Sequence, residues 1–374
     1  MRIFINGNSL KAFTSGTPQR GLIEALCRLR QNDTFHIYLS YDSEAEQLSD
    51  FWSTLQLLNN VSIHYNSSSQ RIINLKKLFG FKNYQPTNNF DFYLSLGMPE
   101  YFNRKQQPSI STVADLSSLN APGTSSLKWH GNCIFKNTLK WCINSNSRIG
   151  AISDFTRDEL SEKFPVLKKR LFTLYNGIEN IWFDEQYKTN ELTDKYKCKN
   201  YWIWCGFGSN RKNLERLIQA YLEANNEHKQ LPKLLLIGKL ADNLKHLENL
   251  ITQSNNIKLV PFQKAYILKE LVRNSRGLLF PSLYEGFGLP IIETYSQGRP
   301  VLYGNCTSMP EIAAGFGIAV NPLDIESIKA GLLEMQTYNI SNKYEQQVKQ
   351  YASGFTYQNA AEQLSELIDQ LSTQ

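Results

Sequence analysis

Apolar residues along this chain fall into two rhythms that alternate from one end to the other. Short apolar runs come first: Met1 to Asn6 with Ile3 and Ile5, HIYLS at His36 to Ser40, VSIHY, DFYLSLG and SIST. Such runs, bounded by Gly, Asn or Pro, predict strands. Between them lie stretches at helical spacing, as in GLIEALCRLRQ, where Leu22, Ala25, Leu26 and Leu29 share one face. The rhythm continues with RIGAIS (Arg148 to Ser153), where Ser153 or Asp154 can cap a following helix. KKRLFTLYNGI (Lys168 to Ile178) reads as a strand ending in Asn176-Gly177. After a polar, charged linker, Asp184 to Lys199, it restarts at YWIWC (Tyr201 to Cys205), with Gly206-Phe207-Gly208 read as a loop before the helix LERLIQAYLEA. LPKLLLIGK (Leu231 to Lys239) and NIKLVPF (Asn256 to Phe262) follow. Alternating strands and helices of this kind imply parallel sheets with crossover connections.

The most informative stretch is Arg276 to Val301, RGLLFPSLYEGFGLPIIETYSQGRPV. A buried strand, Gly277 to Phe280, breaks at Pro281 and Ser282. Gly286, Phe287 and Gly288 lead into a helix whose Pro290 sits where a missing amide is harmless, and Gly298 stops it. One βαβ unit therefore presents its loop at the carboxyl edge of a sheet, where open α/β sheets bind ligands. Amides at a helix start attract an anion, and glycines let it approach the backbone. Glu285 in the loop and Glu293 on the helix flank those amides. Carboxylates accept hydroxyl donors and repel phosphate. A ligand suiting both carries phosphates in the middle and hydroxyls at each end, as a nucleotide sugar does; the other reading is a structural loop with two solvated acids.

EGFGLPIIE resembles the E-x7-E signature of retaining glycosyltransferases of the GT-B fold, the family 4 type also called glycosyl transferases group 1. The similarity continues through SQGRPVLYGNCTSMPEIAAGFGIAVNPLD, and covers nearly the whole chain, strongly from Trp204 to Asp324. It implies an α/β architecture of two Rossmann-like domains facing a cleft, with the last helix crossing back to the first domain. By that likeness residues 1–177 plus 355–374 form an acceptor-binding domain and 178–354 a nucleotide-sugar-binding domain. Glu285 and the amides of Gly286, Phe287, Gly288 and Leu289 are expected to hold donor sugar and phosphate, and Glu293 the ribose. Arg211 and Lys212 resemble the family's R-K-N or R-K-G motif, which neutralises the departing diphosphate. A further arginine of some relatives is Phe207 here, and the histidine of V-x-x-H-D-L is Ala114, followed by Asp115, a candidate near the donor sugar. Lys239 and Phe262, with Gly206, lie where the family holds the nucleotide. Gly16, in the loop after the first strand, reads as a site of close backbone approach to the donor phosphates or as a plain turn glycine. The resemblance also implies a hexose donor, mannose-like, a glycan or lipid-linked acceptor, and a place in O-antigen or capsule assembly. Two other readings share the fold or the site: a nucleotide-sugar epimerase or phosphorylase, and a sugar-nucleotide-binding subunit without activity.

Composition narrows these readings. With 374 residues, 41% of them hydrophobic, the chain can bury two or three cores. No apolar run is long enough to span a membrane and the N-terminus does not read as a signal peptide, so a cytosolic location is expected. Six cysteines without a Cys-x-x-Cys pair read as free thiols, and no Asp-x-Asp motif points to a metal; no cofactor is expected. Of the net charge of +6, all falls in the first half, with 20 Lys plus Arg against 14 acids through Asn180 and 20 against 20 from Ile181. No nucleic-acid-reading motif accompanies it. The excess includes RIINLKKLFGFKNY, residues 71–84, with Arg71, Lys76, Lys77 and Lys82 among apolar residues. It reads either as an interfacial helix against an anionic inner membrane leaflet or as a surface helix on its own core.

Overall fold

The computed structural model describes residues 1–11, 17–40, 49–66, 90–97, 107–120, 129–143, 147–185, 200–208, 210–228 and 231–373. Gly16, the linker from residue 186 onward and the basic run 71–84 lie outside them. The chain divides into two compact units, one of Met1–Asn120, Leu127–Gly177 and Thr356–Gln374, the other of Ala121–Ser126 and Ile178–Phe355.

The first unit holds a parallel sheet of seven strands in the order β3-β2-β1-β4-β5-β6-β7. These are β1 Arg2–Asn6, β2 Thr34–Ser40, β3 Val61–Asn66, β4 Phe92–Ser95, β5 Ser109–Val113, β6 Arg148–Ala151 and β7 Leu171–Thr173. Period-two alternation decides the faces. Ile3, Ile5, Phe35, Ile37 and Leu39 point into a core shared with the helices Thr17–Leu29 and Tyr357–Ser372, while Phe4 and Tyr38 stack on the other side. The stripe expected on the last helix is the one buried: Ala360, Ala361, Leu364 and Ile368 join this core, and Leu367 and Leu371 pack at its margin. Leu364 and Ile368 are fully buried, each stabilising by roughly 1.5 to 3 kcal/mol. Arg30, bonded to Ser365 and Asp369, ties the same helix down at its exposed side.

Two sequence expectations are corrected here. The first helix starts at Thr17, not Gly21, because Pro18 fits a first turn. Gly21 then lies inside it; a Cβ there would sit 2.0 Å from the Tyr357 ring. Lys168 to Arg170 are not strand but the end of a 3-10 turn, Pro165–Arg170, whose Arg170 donates to Cys142 O and Ile143 O.

The second unit repeats the plan with six parallel strands in the order β10-β9-β8-β11-β12-β13. They are β8 Tyr201–Gly208, β9 Lys233–Leu240, β10 Ile257–Val260, β11 Leu278–Phe280, β12 Val301–Gly304 and β13 Ile318–Val320. Trp202, Trp204, Leu234, Leu236, Leu279 and Leu302 anchor its core against the helices Leu214–His228 and Ile325–Thr337. Gly206 to Gly208, expected as loop, continue β8 and pair with Gly238 to Leu240. The strands approach so closely there that a Cβ on Gly238 would lie 1.9 Å from Gly206 O, so glycine keeps the ladder going. Five cysteines among the described residues are free thiols.

Candidate active site

Strand order reverses between β8 and β11, so the loops leaving their carboxyl ends diverge to either side of a crevice. Those two loops carry the charged residues. The chain leaves β8 through a short 3-10 turn, Asn210–Lys212, and Asn213 adopts the left-handed region with φ +54°. Asparagine tolerates that conformation. Its buried amide donates to Pro281 O at 3.0 Å and Pro322 O at 2.6 Å, stapling the turn to the loops after β11 and β13. The Leu283 amide bonds Arg211 O at 2.8 Å, which closes the two loops on each other.

This framework brings three predicted residues into direct contact. Lys212 Nζ lies 2.8 Å from Glu285 Oε1, and Arg211 Nη1 lies 3.1 Å from Oε2. Arg211 also donates to Tyr284 O at 3.2 Å. Glu285 is only 5% exposed. Burial alone would push its carboxyl up, but the adjacent Lys212 and Arg211 charges outweigh it and hold the group below its ordinary value. Glu285 is thus a carboxylate at neutral pH, able only to accept hydrogen bonds. Gly206 adopts φ +145°, which favours glycine, and the Lys212 ammonium sits 4.6 Å from the Phe280 ring centre.

The glycine loop is held from behind. The Glu285 amide donates to Thr307 Oγ1 at 3.1 Å, and Ser308 Oγ donates to Glu285 O and Phe287 O, both at 2.9 Å. The Phe287 side chain is buried against Phe355, so this residue offers only its backbone. Gly288 caps the helix Leu289–Ser296 with φ 106°, a conformation that favours glycine, and having no side chain it gives the helix start no side-chain cap. Cys306, whose thiol burial pushes up to about 11, donates to Ser282 O and Leu283 O and is a poor nucleophile.

Glu293 lies on that helix and is in a different electrostatic state. Burial, then the Glu179 carboxylate, push its carboxyl from 4.5 to about 8, against the pull of Lys212. At neutral pH it is mostly protonated, whereas Glu285 is ionised. Lys239, at the end of β9, and Phe262, 57% exposed beyond β10, occupy the same sheet edge. Asp115 belongs to the first unit, where its Oδ1 accepts from Ser117 N at 2.9 Å and Ser117 Oγ at 2.6 Å. Sequence reasoning missed Asn213, Thr307, Ser308 and Glu179. Ser308 ahead of Met309-Pro310-Glu311 carries a helix-start pattern that signals the support; nothing local signals Glu179. Among the described residues no helix is long and apolar enough to cross a membrane, and no cluster of three metal-ligating side chains occurs.

Comparison with known proteins agrees with this geometry. Residues 189–355 match the model of the family glycosyl transferases group 1. O-antigen chain mannosyltransferase B of Escherichia coli is 27% identical over 251 residues, 65% of each chain. The serotype-specific mannosyltransferase WbdA of the same species is 28% identical over 192 residues, 48% of this chain and 23% of WbdA. The match thus spans less than two thirds of either relative. Among solved structures, Anabaena HepE in complex with UDP superposes with a TM-score of 0.69 at 14% identity, covering 99% of both chains. WaaG, a glycosyltransferase involved in lipopolysaccharide biosynthesis, gives 0.67 at 12% identity, covering 98% of this chain and 99% of WaaG. The chain thus has two parallel-sheet Rossmann-like domains of the GT-B fold, and the second of them is similar to the glycosyl transferases group 1.

Proposed function

We propose that the protein is a retaining hexosyltransferase that works without a metal. On this reading it moves a mannose-like hexose from a nucleotide-diphosphate sugar to a glycan or lipid-linked acceptor in O-antigen assembly. The observation that carries the reading is the Glu285 carboxylate clamped by Lys212 and Arg211 beside a glycine-capped helix start. The names of the relatives support the sugar and the pathway, and the neighbour that holds UDP supports the donor class.

In the proposed reaction the glycosyl carbon–phosphate oxygen bond breaks as a bond to the acceptor oxygen forms on the same face. The acceptor's proton passes to the leaving phosphate. Charge that grows on the diphosphate is met by Lys212, Arg211 and the helix-start amides, groups already fixed before the reaction. Glu285 accepts from sugar hydroxyls, and Glu293 from the ribose; Lys239 and Phe262 face the nucleotide. Asp115, in the first unit, is the candidate beside the donor sugar. The basic run 71–84 would meet an anionic membrane surface at the inner leaflet, where each Lys or Arg contributes roughly 1 kcal/mol.

A thermal-shift screen of nucleotide-diphosphate hexoses, followed by transfer assays with lipid-linked and free glycans, tests the proposal. Donor-dependent stabilisation with acceptor-dependent product supports it. Donor turnover without any acceptor would identify an epimerase instead, and binding without turnover a silent subunit.

A further inference from the structure

The sheet of the second unit has a second charged edge, opposite the loops described above. Arg276 and Gly277 enter β11, and Arg299 and Pro300 enter β12, so both arginines stand at the amino ends of parallel strands. With Arg273 they line a cavity of about 680 Å³, whose remaining wall comes from Asn274 and Ser275 and from residues 337–340 at the end of the helix Ile325–Thr337. Among the described residues no carboxylate lines it.

The three guanidinium groups are not equally occupied. Arg273 pairs with Glu185 at 3.1 Å and approaches Glu270 at 4.0 Å, and the nearby Glu345 is taken by Lys349 at 2.8 Å. Arg299 Nε donates to Arg273 O, at the end of the helix Ala265–Arg273, and Arg276 Nη2 donates to Gln336 O, at the end of Ile325–Thr337. Among the described residues neither has a carboxylate within ion-pair distance. Each caps one helix end, which offers about half a negative charge, and Arg299 and Arg273 also draw on the Glu345 carboxylate, so the guanidinium groups are only partly compensated. Arg273 Nη1 and Arg276 Nε are, in addition, buried without a hydrogen-bond partner.

Partly compensated guanidinium groups around a polar space are what phosphoryl recognition requires, because the planar fork matches two phosphate oxygens at once. The volume falls within the range of about 300 to 1,000 Å³ typical of small-molecule pockets, more than a bare ion fills. We propose that this cavity binds a phosphorylated molecule through its phosphoryl group, with Arg276 and Arg299 as direct contacts and Arg273 as the fixed charge behind them. The site lies at the opposite end of the strands from Glu285 and Lys212, and takes its ligand independently of the donor. The phosphoryl group belongs either to a free phosphate ester or to a phospholipid headgroup.

Equilibrium dialysis with glycerol 3-phosphate, and co-sedimentation with phosphatidylglycerol vesicles of a full chain in which Arg71, Lys76, Lys77 and Lys82 are changed to Gln, separate these sources. The full chain should bind at least one probe. Arg276→Gln/Arg299→Gln should weaken that binding at least tenfold, and Arg211→Ala/Lys212→Ala should leave it in place. If the two arginines only cap helices, the Gln pair lowers the unfolding temperature equally with and without the probe. If they hold the phosphoryl group, the probe raises the unfolding temperature of the parent and not of the Gln pair. Arg276→Lys/Arg299→Lys keeps the charge and should retain part of the binding, so the test survives poor folding of the Gln pair. Binding of neither probe by the parent, or binding lost in the Arg211/Lys212 variant and kept in the Gln pair, overturns the proposal.

Discussion

The two sheets share one strand order, three-two-one-four-five-six from each unit's own start, yet their reversal points differ in chemistry. In the first unit the described residues beside the carboxyl ends of β1 and β4 include neutral polar groups and one buried guanidinium, Arg20, which donates to Leu10 O and Thr17 Oγ1. Asn6 bonds Ser95 Oγ, and a Cβ on Gly97 would meet the buried Gln19 side chain at 3.1 Å. In the second, the crevice between β8 and β11 holds a buried carboxylate, two cations and a second, neutral carboxyl. Topology therefore supplies a place and leaves the chemistry to the loops.

This contrast breaks most visibly at Lys212. Lys212→Ala should lower kcat about 100-fold, roughly 2.7 kcal/mol, with a smaller change in donor Kd, because the cation acts on charge that develops only as the diphosphate leaves. Steady-state kinetics beside calorimetric donor titration separates the two. Glu285→Ala should reduce turnover by the equivalent of about 1 to 3 kcal/mol, the range of one buried charged hydrogen bond. An unchanged kcat/KM in that variant would move the sugar contact elsewhere.

Glu293 sharpens the contrast through pH. Its carboxyl in the folded chain titrates near 8 against an ordinary 4.5, so the raised value favours the folded state fully below about 4.5, and that contribution is lost as pH rises through 8. Glu293→Gln should therefore gain thermal stability relative to the parent between about pH 5 and pH 8, by on the order of 1 kcal/mol after solvent screening of a half-buried group. If ribose hydroxyls donate to the ionised group, donor affinity of the parent strengthens as pH approaches 8, and the Gln variant loses both the affinity and the slope. A flat pH profile in the parent would remove Glu293 from the ribose. The smallest effect on stability belongs to the first unit: Asp115→Asn should cost at most about 1 kcal/mol, as loss of a local cap does, and a fall in donor affinity beyond that would place Asp115 beside the donor sugar. Denaturant unfolding and donor titration check it.

Much of this was legible in the sequence because strand and helix periods differ and because glycine and proline punctuate them. Ile3, Ile5 and the Ala360-to-Ile368 stripe announced their burial, and Gly288-Leu289-Pro290 its helix start. Gly206 to Gly208 misled: two glycines after an apolar run read as a turn, while the reason they stay in the strand is the backbone of Gly238, far along the chain. The pairing of Glu285 with Arg211 and Lys212 was hidden similarly. Each was visible as a candidate, but contact over more than seventy positions depends on which two strands flank the reversal point.

The central claim is that this charged crevice holds a nucleoside diphosphate as it departs. Calorimetric titration of UDP and GDP, with their parent nucleosides as controls, into the native chain and into Arg211→Ala/Lys212→Ala tests it most directly. One diphosphate should bind the native chain, the double variant should lose at least about tenfold in that affinity, or roughly 1.4 kcal/mol, and nucleoside binding should be the same in both. Equal diphosphate affinity in the two proteins would contradict it.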